Sequence, residues 1–243
     1  MKTLKKPIQV LYGILREPWK AHWRLRWFII RRLSTLPALR KTMERVLQKD
    51  VERHITPAGE IRFREIISSW EGVYIDVGAY IGDTLIIAGR AKKIIAIEPV
   101  PTHVNELRKI AEEDDRVIII PMPAGDGGTY KFTHTSAGVT SRLGEIHGVG
   151  VVNIYEVKTI KIDDLELPDG PLLIKVDAEG AETMILRGAE ETISSRKPVL
   201  LIECHGTLRL VEDFLKKHGY KYKIMLRRRR LPEHCHIIAV HKS

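Results

Sequence analysis

The sequence predicts an α/β fold in which helices cover both faces of a mostly parallel sheet. The strongest observation is residues 73–90, VYIDVGAYIGDTLIIAGR, whose pattern predicts a buried strand, a turn with two glycines and a helix. The strand residues show no polar alternation, as a central strand covered on both faces requires. Further apolar runs follow at residues 92–99, 117–120, 172–176 and 198–206, with helical patterns between several of them. Such alternation of strands and helices is typical of parallel sheets.

The turn after the first strand has the composition of a ligand-binding turn. Asp76 lies near the carboxyl end of the strand, and Gly78 and Gly82 bracket the turn. Glycine lets the backbone adopt a positive φ and lets a ligand approach closely. Asp83 or Thr84 is expected to cap the following helix. Because open α/β sheets bind ligands at the carboxyl ends of their strands, we expect a ligand here, and the alternative is a tight turn without one.

Two further acidic residues extend this prediction toward a nucleotide. Glu98 ends the second strand, roughly 20 residues after the first glycine, where an acid accepts hydrogen bonds from ribose hydroxyls. Asp126 lies in a turn after the third strand and is placed to reach an adenine amino group. The alternatives are a solvated glutamate and an ordinary turn aspartate.

Lys175 is the unusual residue of the fourth predicted strand. A lysine inside an apolar strand is costly unless it is paired, so we expect a carboxylate partner. The strand ends on Asp177, and Glu179 and Gly180 open the next helix. Charge concentrated at a strand end indicates a reaction site, and the alternative is a brace that only positions the glycine turn.

The fifth predicted strand, residues 198–206, ends on Glu203 and His205. Their alternate spacing places both on the same side of the sheet. Two strands at residues 221–226 and 236–241 follow, separated by the arginine run 227–230. Earlier in the chain, the glycine-rich residues 138–150 predict a loop over the site, followed by an exposed strand from residue 151.

Charge divides the chain into two predicted parts. Residues 1–50, the basic arm, hold 13 Lys or Arg residues against three acidic ones, whereas residues 51–243 are close to neutral. Trp19, Trp23 and Trp27 are four residues apart, so a helix would place them on one side among arginines. We expect a helical arm that binds an anionic membrane surface, RNA or an anionic protein surface, and the alternative is packing on the domain or on a second subunit.

Cysteine usage and hydropathy argue against several classes of protein. Cys204 and Cys235 form no CxxC motif, which leaves no zinc or redox motif in the sequence. No apolar run reaches the roughly 18 residues of a membrane span, and the N-terminus lacks the pattern of a signal peptide. We therefore expect a cytoplasmic protein, with peripheral membrane association through the basic arm as an alternative.

The motifs together resemble the FkbM-type methyltransferases, a family of S-adenosylmethionine (SAM)-dependent enzymes. The resemblance covers about residues 70–205 and includes DVGAYIGD, AIEP, KVDAEGAE followed by RGA, and LLIECH, in that order. It implies a class I methyltransferase Rossmann-like fold with seven strands, of which the first five are parallel and the last is antiparallel. Tyr80 stands where family members often carry asparagine.

The resemblance also implies which residues bind the cofactor. Asp76, Gly78 and Gly82 would surround the methionine and ribose of the cofactor. Glu98 would bind the ribose hydroxyls, and Asp126 would lie on the adenine side. The complete set is Asp76, Gly78, Ala79, Tyr80, Gly82, Asp83, Glu98, Pro99, Asp126 and Asp177.

A sulfonium donor is already activated, so catalysis mainly requires an acceptor held in line and one base. Asp177 has the best position for this base, and His205 and Glu203 are the other candidates, with Lys175 orienting or tuning Asp177. An alternative is that Asp177, Glu179 and Glu203 hold a divalent metal, although we predict none.

The expected activity is O-methylation of a saccharide, lipid-linked or secondary-metabolite acceptor. One alternative is an RNA methyltransferase that uses the basic arm. Another is a membrane-tethered protein that binds the cofactor without turnover. An NAD-dependent oxidoreductase is disfavoured because the GxGxxG spacing is absent after Asp76.

Overall fold

The computed structural model describes residues 58–135, 142–144, 151–228 and 231–242. The basic arm and most of the predicted loop at residues 138–150 lie outside these ranges, so the predictions made for them stay predictions. Within the described ranges, no helix has the length and hydropathy needed to cross a membrane.

Helices and strands alternate through residues 58–120, as the sequence predicts. The helices are α1 (Ala58–Ser69), α2 (Asp83–Ile87), α3 (Pro101–Ala111), α4 (Glu182–Arg187), α5 (Glu190–Arg196) and α6 (Leu208–Lys217). The strands are β1 (Val73–Val77), β2 (Lys93–Ile97), β3 (Val117–Ile120), β4 (Thr129–Thr135), β5 (Arg142–Leu143), β6 (Val151–Lys158), β7 (Leu172–Val176), β8 (Val199–His205), β9 (Tyr220–Arg228) and β10 (Leu231–His241).

Seven of these strands form the main sheet, in the order β3-β2-β1-β7-β8-β10-β9. The pairs from β3 to β8 are all parallel, and β10 is antiparallel to both β8 and β9. The predicted sheet is therefore confirmed, including the antiparallel last strand. Its order changes direction between β1 and β7, which is the position where open α/β sheets form their ligand crevice.

A smaller antiparallel sheet, in the order β5-β4-β6, adds to this fold. The sequence indicates β6 as an exposed strand but not its partner β4. The reason is that β4 contains three threonines, and buried threonines are hard to recognise from the sequence. The Thr133 side chain is fully buried, and its hydroxyl donates a hydrogen bond to the Gly144 carbonyl oxygen at 2.7 Å.

The two faces of the main sheet carry separate apolar clusters. Val73, Ile75 and Val77 belong to one cluster, whereas Tyr74 belongs to the other, together with Leu173 of β7. Because strand side chains alternate, Asp76 lies on the same face as Tyr74. This alternation directs a series of charged residues on β1, β7 and β8 to one side of the sheet.

The predicted side-chain cap of α2 is wrong. Gly82 is the N-cap residue, with φ 84°, and no side chain caps the helix. Asp83 instead accepts a hydrogen bond from Arg64 Nη2 at 2.7 Å, and the Thr84 hydroxyl donates to Asp76. Both polar side chains have stronger partners than the helix terminus, one of them a cation and the other a buried carboxylate.

Candidate active site

The glycine turn brings the ends of β1 and β7 into close contact. Gly78 has φ 77°, and a Cβ atom at this position would lie 1.8 Å from the carbonyl oxygen of Asp177. Only glycine fits such a contact, because any side chain would overlap the backbone of β7. The turn therefore places the backbone of residues 78–82 directly beside the first residue after β7.

Glu98 is held in a fixed orientation by the same turn. Its carboxylate accepts hydrogen bonds from the backbone N–H groups of Tyr80 at 3.0 Å and Val100 at 2.9 Å. His103 Nδ1 lies 3.2 Å from the same carboxylate, and the His103 ring packs edge-on against the Tyr80 ring. Glu98 is only 5% exposed and its carboxylate cannot rotate freely, so it is preorganised to accept hydrogen bonds from a ligand.

These residues line an open cleft with a volume of about 120 Å³. Five of the predicted cofactor residues are on its wall, namely Gly78, Tyr80, Glu98, Pro99 and Asp177. Much of the remaining wall is apolar and includes Phe132 and Leu143 of the small sheet and Ile185 of α4.

The other predicted cofactor residues do not line this cleft. Asp76 and Ala79 are buried, and Asp83 is paired with Arg64. Gly82 packs on α3, where an added Cβ would lie 2.4 Å from Ile110 Cδ1. Asp126 accepts hydrogen bonds from the Tyr130 hydroxyl at 2.8 Å and from the Gly128 N–H at 3.1 Å. Direct contacts between these residues and a cofactor therefore remain predictions.

Asp76, Lys175 and Asp177 form a chain of charges from the sheet interior to the cleft. Lys175 Nζ lies 3.1 Å from Asp76 Oδ1 and 3.6 Å from Asp177 Oδ2. The predicted carboxylate partner of Lys175 is thus present, and there are two of them. Burial lowers the pKa of Lys175, but the charges of Asp76 and Asp177 outweigh it and raise this pKa above its usual value.

Asp177 is the carboxylate of this chain that faces the cleft, and 31% of its side chain is exposed. Burial raises the pKa of Asp177 to about 7, with a further contribution from the charge of Glu203, while Lys175 opposes the increase. The group therefore exchanges its proton near neutrality, unlike an ordinary aspartate.

Glu203 and His205, at the end of β8, lie beside Asp177, and their pKa values are shifted in opposite directions. For Glu203, burial is outweighed by His236 Nε2 at 3.3 Å, which lowers the Glu203 pKa to about 2. For His205, burial is outweighed by Glu182 and nearby carboxylates, which raise the His205 pKa to about 9. Near neutral pH, Glu203 is an anion and His205 is a cation.

Glu182 fixes the orientation of the His205 ring, and the sequence alone does not identify it as a residue of the site. Its carboxylate is fully buried, lies 3.1 Å from His205 Nδ1, and accepts hydrogen bonds from the Thr207 hydroxyl and the Gly180 N–H. His205 Nε2 consequently points toward Glu179 at 3.8 Å and Glu203 at 3.7 Å. In the sequence, Glu182 resembles an ordinary acid in the first turn of a helix, so only its burial identifies it.

The ligand atoms of Asp177, Glu203 and His205 lie within 4.8 Å of one another, a spacing that can suit a metal ion. This group differs from the metal alternative indicated by the sequence, which has Glu179 in place of His205. The Lys175 ammonium lies 3.6 Å from Asp177 and repels a second cation at this position.

The strand order, the glycine turn after β1 and the acid after β2 define a class I methyltransferase fold. The model of the FkbM methyltransferase domain matches residues 76–222, which is more than half of the chain. The protein therefore belongs to the FkbM methyltransferase family of SAM-dependent enzymes.

Several solved structures match the chain at low similarity. An FkbM methyltransferase from Methylobacillus flagellatus KT is 21% identical, with a TM-score of 0.48, and the match covers 68% of this chain and 42% of that protein. A precorrin-6y C5,15-methyltransferase from Geobacter metallireducens is 18% identical (TM-score 0.45), with 76% of this chain and 88% of that one covered. A Streptococcus mutans protein in complex with SAH is 12% identical (TM-score 0.46), with coverages of 76% and 98%. No curated protein sequence matches the chain.

Replacing Glu98 with glutamine is expected to weaken SAM binding roughly tenfold to a hundredfold, the equivalent of one hydrogen bond to a charged group. The amide keeps the shape of the side chain but loses the charge and one acceptor. Isothermal calorimetry with SAM measures this change. Glu106→Gln, on the exposed side of α3, is the matched control and should bind SAM normally. Unchanged affinity in Glu98→Gln would contradict the assignment of Glu98 to the ribose.

Proposed function

We propose that this protein transfers the methyl group of SAM to a hydroxyl of a saccharide, lipid-linked or secondary-metabolite acceptor, with Asp177 as the general base. The observation that supports this proposal is the position of Asp177. Its carboxylate lies on the cleft wall at the end of β7, with a pKa of about 7. A base is most effective when its pKa lies near the working pH.

The chemistry of the cleft wall supports binding of the methyl donor. Glu98 offers a fixed acceptor for ribose hydroxyls, and Gly78, Tyr80 and Pro99 complete this end of the wall. When bound, SAM supplies an activated methyl group. The protein's own contribution is to orient the acceptor, exclude water with the apolar wall that includes Phe132, and remove one proton.

Asp177 is better suited to remove this proton than its two neighbours. His205 is already protonated near neutrality because its pKa is about 9, so it donates hydrogen bonds and does not accept a proton. Glu203 is ionised, but a pKa of about 2 makes it a weak base. Lys175 stays charged and orients Asp177 from the sheet interior.

The proposal predicts a bell-shaped dependence of kcat/KM on pH. Asp177 must be ionised to accept a proton, so activity should rise with pH and reach half its plateau at about 7. Loss of the His205 proton at about 9 removes the cation that lies between Glu179 and Glu203, so activity should fall there. Initial rates with labelled SAM across this range measure both limbs. A profile that is flat between pH 6 and pH 8 would count against Asp177.

A cofactor-binding protein without turnover is the competing proposal. It shares the cleft and the SAM contacts but requires no titrating base, so the acidic limb of the profile distinguishes the two. RNA methylation, the other alternative, is supported by the basic arm. The acidic residues around Asp177 disfavour it at the reaction site, because they repel a phosphate backbone.

A further inference from the structure

His103 is a buried residue of the cleft wall to which the proposed reaction gives no role. It lies in the first turn of α3, lines the cleft beside Glu98, and is only 8% exposed. Its Nδ1 lies 3.2 Å from Glu98 Oε1. The ring packs edge-on against Tyr80 of the glycine turn, with ring centroids 4.4 Å apart and an interplanar angle of 77°. These two contacts fix the ring between α3 and the glycine turn.

The direction of the hydrogen bond between His103 and Glu98 follows from the other partners of Glu98. The Val100 N–H donates to Oε1 at 2.9 Å, and the Tyr80 N–H donates to Oε2 at 3.0 Å. Both carboxylate oxygens are therefore acceptors, so the hydrogen shared with the ring comes from Nδ1. His103 thus carries a proton on Nδ1 in both its neutral and its charged form.

These donors leave Glu98 with little capacity for a ligand. A carboxylate offers about four lone-pair positions, two on each oxygen. Among the residues that the structure describes, Oε1 accepts from Val100 and His103, whereas Oε2 accepts from Tyr80. About one position therefore remains for a ligand, and it is on Oε2. If His103 did not donate, each oxygen would have one position left.

We propose that His103 is a positioning residue for the cofactor: its Nδ1–H occupies Glu98 Oε1, so that Glu98 accepts only one of the two adjacent ribose hydroxyls of SAM. This inference rests on the part of the proposed function that assigns Glu98 to the ribose. It does not depend on the acceptor or on the general base. His103 acts through Glu98 and determines how unequally the two hydroxyls contribute to affinity.

Isothermal calorimetry of the full-length protein with S-adenosylhomocysteine (SAH), and with its analogues that lack the 2′- or the 3′-hydroxyl, tests this inference. We expect loss of one hydroxyl to weaken binding about tenfold to a hundredfold, the effect of one hydrogen bond to a charged group. Loss of the other should weaken binding less than about threefold, because no position on the carboxylate remains for it. Similar effects of both losses, or no effect of either, would overturn the inference.

Variants of His103 assign this difference to its Nδ1–H. His103→Phe keeps a ring against Tyr80 but frees a position on Oε1, so the two analogues should differ less than about threefold. His103→Asn places an amide N–H close to the position of Nδ1 and should keep the wild-type difference. His241→Phe changes a histidine that packs edge-on against Tyr220 outside the cleft, and as the matched control it should also keep the difference. A purely structural role of His103 would weaken all three ligands equally and leave the difference unchanged in His103→Phe, which contradicts the proposal.

Nitrogen-15 NMR of the ligand-free protein tests the tautomer without any cofactor. The spectrum of the wild-type protein should show the His103 proton on Nδ1, and the assigned resonance should be absent in His103→Phe. A neutral ring protonated at Nε2 would contradict the proposed hydrogen bond.

The two proposals fail in different ways. If the two hydroxyls contribute unequally as expected but labelled SAM gives no methylated product with any hydroxyl acceptor, the proposed function fails and the role of His103 stands. If methyl transfer occurs but the two analogues differ equally in the wild-type protein and in His103→Phe, the proposed function stands and the inference about His103 fails.

Discussion

Replacing Asp177 with asparagine is expected to lower kcat by about 10²–10⁴-fold, the usual contribution of a positioned general base. Asparagine has nearly the same shape and cannot accept the proton. The fold should persist, because Lys175 keeps its second carboxylate partner, Asp76, at 3.1 Å. SAM should still bind, so the loss belongs to the chemical step.

Single-turnover measurement of labelled methyl transfer at pH 8, with SAM affinity measured in parallel, gives this result directly. Asp115→Asn, at an exposed position before β3, is the matched control and should retain full activity. His205→Asn provides the comparison that decides the base. If His205→Asn lost activity on the same scale while Asp177→Asn kept it, the proton would have to pass to the imidazole, in conflict with its pKa of about 9.

The buried parallel strands could be predicted closely from the sequence. The apolar runs at residues 73–77, 117–120 and 172–176 have the bounds of β1, β3 and β7 in the structure. A strand covered on both faces has no polar alternation and is bounded by turn residues, so its limits are visible in the composition. Of the small sheet, the sequence indicates β6 but not β4, because β4 mixes polar and buried residues.

Asp76 and Glu98 differ by one position in where they lie relative to the end of their strand. Asp76 is the fourth residue of β1, and Val77 continues the strand, so Asp76 is covered by Thr84 and Lys175. Glu98 comes after the last residue of β2 and reaches the cleft. In the sequence, both acids follow an apolar run and look alike. Whether such an acid lines the cleft depends on whether the strand ends before or after it, and strand ends are the part of a strand that sequence patterns locate least well.

The protonation states of the site could not be predicted from the sequence. Glu182 and His236 are separated from His205 and Glu203 by more than 20 residues in the chain, yet they set the pKa values of these two groups. Such contacts depend on how α4 and β10 pack against β8. The sequence therefore identifies candidate bases, whereas the packing selects among them.

Replacing Lys175 with methionine is expected to destabilise the fold by about 3–5 kcal/mol, the usual cost of removing one partner of a buried ion pair. Methionine has a similar length but no charge, so Asp76, which has no exposed surface, would lose its cation and keep the hydrogen bond from the Thr84 hydroxyl. Urea denaturation at neutral pH measures the change. Lys109→Met, which breaks an exposed pair with Glu106, is the matched control and should cost about 0–1 kcal/mol. The double variant Asp76→Asn with Lys175→Met should recover part of the loss, because no unpaired charge remains in the sheet. A loss below about 1 kcal/mol in the single variant would show that water or another residue compensates Asp76.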